Sequence, residues 1–264
     1  MLGRLPGLSG SRQGDVGERM LNAVATQSLR QLFSQAGGLE VEIRCSPPSK
    51  LLQGTIDSFK MHGHDLVIRR EFYTAEMTFE TDTVAIDMGA LLAGKIRLKQ
   101  PTQAIAHVVL TEEAINRAFE AELVKPRLSN LENPELTALS GGEPVTFRDV
   151  NVTLLPQQRV VVAAVTDLPN RDNVPLCLQA TLEVQKRRRL TFTNAEADVA
   201  SMPESVRPLS KLLSNALLEV LNGMVDLDRF DLDGITLRLN RLETQGQNLV
   251  FSGYAQVEHF PGMM

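Results

Sequence analysis

Apolar and polar positions alternate with a period of two along most of the chain. In Leu39-Glu40-Val41-Glu42-Ile43-Arg44-Cys45 every odd residue is apolar and every even one charged. This is the pattern of a strand with one face in a core and the other in water. Pro47-Pro48 ends it. Further strands are predicted at 54–59, 66–70, 72–88, 96–99 and 104–110, with His62-Gly63-His64-Asp65 as a tight connection. In the second half strands are predicted at 145–154, 159–165, 176–184, 190–199, 235–242 and 249–257. The apolar phase of 145–154 shifts at Arg148-Asp149, as at a β-bulge. Lys186-Arg187-Arg188-Arg189 and Gln245-Gly246-Gln247-Asn248 form two of the turns. Such short connections suit antiparallel hairpins and meanders and not βαβ crossovers.

Three stretches switch to helical spacing. Residues 15–36 carry Val16, Met20, Val24, Leu29, Leu32 and Phe33 on one face, with Asp15 as a cap and Gly37-Gly38 as the stop. Residues 111–124 begin at an N-cap threonine, Thr111, followed by Glu112 and Glu113 at the positive helix end, and stop at Pro126. Residues 204–222 align Val206, Leu209, Leu213, Leu217 and Leu221 before Gly223. The stretch 125–145 reads as a packed loop, with a short helical turn at Asn133-Pro134. Several strands exceed the usual length of about five or six residues, which implies strong twist and curvature. The expected fold is therefore α+β, a long, strongly curved antiparallel sheet wrapped around amphipathic helices. It forms one domain over 15–258, between a disordered arm, 1–14, and a flexible tail, 259–264.

Composition narrows the function classes. The chain is rich in aliphatic residues, has no Trp and only two Tyr among 264 residues, and carries a net charge of −5. An aromatic-poor, mildly acidic chain lacks both the stacking platforms and the basic field that nucleic-acid readers use. Two isolated cysteines, Cys45 and Cys177, are too few for a disulfide scaffold, and a single bridge between them is left open. No secretory signal or transmembrane stretch is visible, so a cytoplasmic protein is expected.

Candidate chemistry is sparse. His62 and His64 could give two metal ligands but have no third at recognisable spacing, and exposed turn residues are the plainer reading. His107, among Ala106, Val108 and Val109, reads as a buried or strand-edge histidine before a catalytic base. Residues 226–234 resemble a calcium loop but place Phe230 where an oxygen ligand is needed, so a strand with alternate acidic positions fits better. No cofactor or metal site is expected.

Three segments together resemble the LmeA-like phospholipid-binding family. The clearest is Ala104-Ile105-Ala106-His107-Val108-Val109-Leu110-Thr111-Glu112-Glu113-Ala114-Ile115-Asn116. The second is Leu51-Leu52-Gln53-Gly54-Thr55-Ile56-Asp57, and the third is the closing pair of strands after Val225-Asp226. The resemblance spans about residues 15–258 and implies a tubular lipid-binding type of fold and phospholipid binding without known catalysis. It supplies no catalytic residues. The better-known members carry an export signal, which this chain does not show.

With the helical faces, this points to acyl chains held in an apolar groove. Ile115, Phe119, Leu123, Leu213 and Leu217 are candidates to line it, or else simply pack the core. Lys186, Arg187, Arg188 and Arg189 are candidates for headgroup or anionic-membrane contact, or else a solvated hairpin tip. Val24, Leu29, Leu32 and Phe33 either lie on a membrane or pack on the sheet. The expected partners are a phospholipid or other acyl lipid and an anionic membrane surface, with no nucleic acid. Two other readings stand beside this one: an assembly factor that binds a protein through the sheet edge or the N-terminal helix, and an enzyme whose site would centre on His107.

Overall fold

The computed structural model describes residues 19, 22–23, 25–27, 29–93, 97–169, 171–229 and 234–258. Twelve strands dominate the described chain: β1 (Gln35–Arg44), β2 (Thr55–Ile56), β3 (Ser58–Ile68), β4 (Phe72–Thr81), β5 (Val84–Ala85), β6 (Thr102–Thr111), β7 (Phe147–Leu154), β8 (Arg159–Leu168), β9 (Arg171–Gln185), β10 (Arg189–Ala197), β11 (Ile235–Gln245) and β12 (Asn248–Val257). The helices are α1 (Ser49–Leu52), α2 (Met88–Leu92), α3 (Glu112–Ala118), α4 (Pro134–Leu139) and α5 (Arg207–Met224). The fold is α+β. One antiparallel sheet has six strands in the order β1-β3-β4-β6-β12-β11, a second has four in the order β10-β9-β8-β7, and neither closes into a barrel.

Alternation explains the four-stranded sheet. Val160, Val162 and Ala164 of β8 and Val174, Leu176, Leu178, Ala180 and Leu182 of β9 are all buried, while their chain neighbours are exposed or half-buried. That buried face packs against α5, which crosses β9 and β10. Pro208 sits in the first turn of α5, where its missing N–H leaves no gap. Leu213, Leu217 and Leu221 of α5 join Val150 and Val152 of β7 in a first core, with Ile115 and Phe119 packed at its margin.

A second core lies under the other end of the six-stranded sheet. It gathers Val41 and Ile43 of β1, Met61 of β3, Ala104 of β6, and Ala255 and Val257 of β12. Ala25 and Leu29, from the helical residues before β1, are buried in it.

The structure adjusts several sequence boundaries. His62-Gly63-His64-Asp65 is not a connection but the middle of β3, and the chain reverses at Arg69 and Arg70, both with positive φ. Gly63 serves close packing instead: a Cβ there would lie 2.9 Å from Leu66 and 3.2 Å from Leu39. Gly37-Gly38 likewise does not stop a helix but begins β1, where a Cβ on Gly38 would fall 2.2 Å from the His64 ring. The stretch 72–88 divides into β4 and β5, and Leu98 makes only an isolated bridge to Ile86. The helix expected over 111–124 is α3 alone, with turns after it, and the helix expected to start at 204 starts at Arg207. The bulge in β7 is present as a register shift between Arg148 and Asn151. Cys45 and Cys177 are free thiols.

Candidate functional site

The inner face of the six-stranded sheet is one apolar surface that reaches both cores. On β12 it runs Leu249, Phe251, Gly253, Ala255, Val257, because side chains two apart share a face. Leu249 and Phe251 meet the first core, and Ala255 and Val257 belong to the second. On β6, Leu110 packs on the first core and Ala104 lies in the second, with Ala106 and Val108 between. The register sets Phe79, Ala106, Gly253 and Leu239 side by side across β4, β6, β12 and β11. The middle of the strip is thus floored by small residues, Ala106 and Gly253. A Cβ on Gly253 would stand 2.0 Å from the Arg238 carbonyl oxygen, so the backbones of β11 and β12 approach there as only glycine permits.

Side chains from elsewhere occupy the edge strands of both sheets. Asn116 of α3 pairs with Val152 of β7 through both amide groups: Nδ2 donates to the Val152 carbonyl at 3.0 Å and Oδ1 accepts from its N–H at 2.7 Å. Glu112 accepts from the next outward N–H of β7, that of Leu154, at 2.7 Å. Asn222 of α5 does the same for Phe192 of β10, at 3.4 and 2.7 Å. Asn22 accepts from Ile43 N–H on β1 at 2.8 Å. An amide carries donor and acceptor together, so it can stand in for a neighbouring strand.

The fourth edge, β11, is held by the Lys186–Arg189 turn. Leu239 N–H donates to the Arg187 carbonyl at 2.7 Å, and Leu227 N–H to the Arg188 carbonyl at 2.9 Å. The Arg187 guanidinium donates to Asn240 and lies over the Tyr254 ring, 5.7 Å from its centre. Arg188 is hydrogen-bonded to Asp228 and lies 3.6 Å from Asp226, and Arg189 donates to Asp226 at 3.1 Å. The Arg188 hydrogen bond, helped by Arg238, holds Asp228 below the ordinary carboxylate value against the effect of burial. For Asp226 burial is the largest single influence and pushes upward. The Asp228 backbone N–H and the two arginines together outweigh it, so the carboxyl titrates below its ordinary value. The run of cations is therefore a joint between the two sheets, and Arg188 and Arg189 already have carboxylate partners within it. Lys186 is exposed, as is Arg187. Sequence alone did not expose the joint, because Asp226, Asp228 and Asn240 lie roughly 40–50 residues away.

The other expected residues fall as follows. Leu213 and Leu217 are fully buried in the first core, Ile115 and Phe119 are half-buried at its margin, and Leu123 is 52% exposed. Leu29, Leu32 and Phe33 pack on the second core, and Val24 lies outside the described residues. His62 sits on the outer face of β3, its Nδ1 3.2 Å from Thr78 Oγ1 and 3.7 Å from Glu76, and His64 is 3.0 Å from Asp65. His107 is exposed, not buried, because odd positions of β6 point outward. Asp226 to Arg229 form a bridge and a 3-10 turn where a strand was expected, and Phe230 to Asp233 lie outside the described residues. Among the described residues no group of three or more His, Cys, Asp or Glu could hold a metal ion. None of their helices is long and apolar enough to cross a membrane. An open cleft of about 450 Å³ is lined by Thr26, Glu40, Val41, Glu42, Lys60 and His62, and is too highly charged to suit an acyl chain.

Among the described residues this face is apolar from one core to the other. The profile of the LmeA-like phospholipid-binding family matches residues 13–253, and the chain belongs to that family. No curated protein and no solved structure matches it.

Proposed function

We propose that the protein binds a phospholipid non-catalytically, with acyl chains held in the apolar interior between α3, α5 and the two sheets, a tubular arrangement in which the sheets curve around the helices. The observation that carries this reading is the unbroken apolar face from Leu249 to Val257 on a chain of the phospholipid-binding family. Each buried methylene adds about 0.8 kcal/mol, so half of one chain supplies much of a micromolar affinity. Ile115, Phe119, Leu213 and Leu217 border that interior, while Leu123 stands at its rim. The chain carries lipid as one domain over 15–258 and acts in the cytoplasm at the surface of a membrane.

Membrane contact uses the outer face of the six-stranded sheet. Ile105 and Tyr254 are direct cross-strand partners there, 58% and 44% exposed, with the Arg187 guanidinium over the Tyr254 ring and the exposed Lys186 next to Arg187 in the chain. A Tyr and an Ile beside a cationic turn suit an anionic bilayer surface. Native mass spectrometry of protein purified from cells tests the lipid reading, with co-purified phospholipid as the expected result. Absence of lipid, together with no uptake from phosphatidylglycerol vesicles, overturns it. Vesicle flotation of Lys186→Glu/Arg187→Glu tests the surface, and undiminished binding removes that part.

A further inference from the structure

Helix α5 carries two hydroxyls that its own surroundings leave unused. Ser210 and Ser214 are 0% and 1% exposed, and neither Oγ has a hydrogen-bond partner among the described residues. They stand four residues apart, one turn along the buried face that also presents Leu213 and Leu217. A buried hydroxyl without a partner is destabilising, and an alanine of nearly the same shape would avoid that cost. Two of them on one stripe of one helix, in a face otherwise aliphatic, call for a ligand with acceptor oxygens inside an apolar body.

We propose that Ser210 and Ser214 are the polar anchor of the lipid site, donating to the acyl carbonyl oxygens of a lipid seated between α5 and β9. This rests on the phospholipid-binding reading and deepens it. Acyl carbonyls are the oxygens that enter an apolar interior attached to hydrocarbon, and glycerophospholipids carry two of them. The hydroxyls lie in the N-terminal half of α5, and the chain just before this helix is held by Arg171, which donates to the Ser205 carbonyl at 3.0 Å. The hydroxyls are tightly packed, so seating the carbonyls moves this half of α5 away from β9.

The test compares delipidated full-length protein with the Ser210→Ala/Ser214→Ala variant. Three probes are used: dioleoyl phosphatidylglycerol, its diether analogue without carbonyls, and oleic acid. The wild type is expected to bind the diacyl lipid about tenfold more tightly than the diether, as two modest hydrogen bonds give. The variant is expected to bind both with the diether's affinity and to unfold at a higher urea concentration than the wild type. A loss with oleic acid, and not with the diacyl lipid, overturns the phospholipid anchor in favour of a fatty-acid carboxyl. Equal wild-type binding of diacyl and diether lipid overturns the anchor, as does a variant that keeps the preference or unfolds earlier. Failure of the wild type to bind any of the three overturns the lipid reading itself.

Discussion

The first core and the strip that links it to the second are built on different principles. The first is made of large aliphatic side chains: Leu176, Leu178, Leu213 and Leu217 interdigitate between β9 and α5, and strict alternation on β8 and β9 supplies the rest. The strip that leads from it to the second core uses small residues, with Ala104, Ala106, Gly253 and Ala255 on its face and Phe59, Met77 and Phe79 only half-buried around them, while the second core itself is filled by Leu29, Val41, Ile43, Ile56 and Met61. Volume stabilises the first, and close approach of backbones shapes the strip. A surface floored by alanine and glycine carries little side-chain bulk, whereas a leucine-filled one is packed by it. The joint at Lys186–Arg189 ties the two together through backbone hydrogen bonds and ion pairs.

The contrast can be broken at four places, taken from the largest effect down. Leu217→Ala in the first core is expected to lower stability by about 2–5 kcal/mol, read from urea unfolding, because the rigid surroundings leave a cavity. A loss under 1 kcal/mol would mean that the first core is loosely filled, like the strip. Gly253→Ala adds one methyl where the Arg238 carbonyl lies 2.0 Å away, and about 3 kcal/mol is expected, the upper end of overpacking. If it is tolerated, the backbones of β11 and β12 are not in close approach. Asn116→Ala strips both hydrogen bonds from Val152 on β7 and is expected to cost about 1–2 kcal/mol. Amide exchange at Val152 should then accelerate while that at Val162 of β8 stays slow.

The joint gives the last and most conditional effect. Asp226 and Asp228 titrate below the ordinary carboxylate value, so their contribution is complete above that value and is lost as pH falls through their folded values. Wild-type stability is expected to be flat near neutrality and to fall below about pH 4, more steeply than in Asp226→Asn. Parallel acid limbs for the two proteins would show that the carboxylate does not hold the turn.

Much of this fold could be read from local pattern. Alternation or a continuous apolar run located β1, β6 to β10 and the closing hairpin, and the N-cap of α3 was legible because Thr111 does accept from Ala114 N–H, at 3.0 Å. The misread glycines share a cause. Gly37, Gly38 and Gly63 look like turn residues from their neighbours, but their lack of a Cβ is needed for close packing, at Gly37 and Gly38 against β3 and at Gly63 against Leu66 and Leu39. The candidate site was legible only as a set of apolar faces. Ser210 and Ser214 read as ordinary polar positions until the helix face is known to be buried, and the roles of Asn116 and Asn222 depend on strands 36 and 30 residues away. The arginine run was visible, but its partners across the joint were not.

The pairing of β6 with β12 has a consequence for how the chain is made. Strands β7 to β10 are consecutive, so their sheet can assemble from local hairpins as soon as it leaves the ribosome. The six-stranded sheet cannot: its first four strands are synthesised by residue 111, and the two that cover β6 arrive only with residues 235–257. Throughout that interval the backbone of β6 has no neighbour on one side and presents Ala104 to Leu110 as an open template. Early termination before β11 would leave that template permanently open, so shortened chains should aggregate through β6 even though their four-stranded sheet is intact.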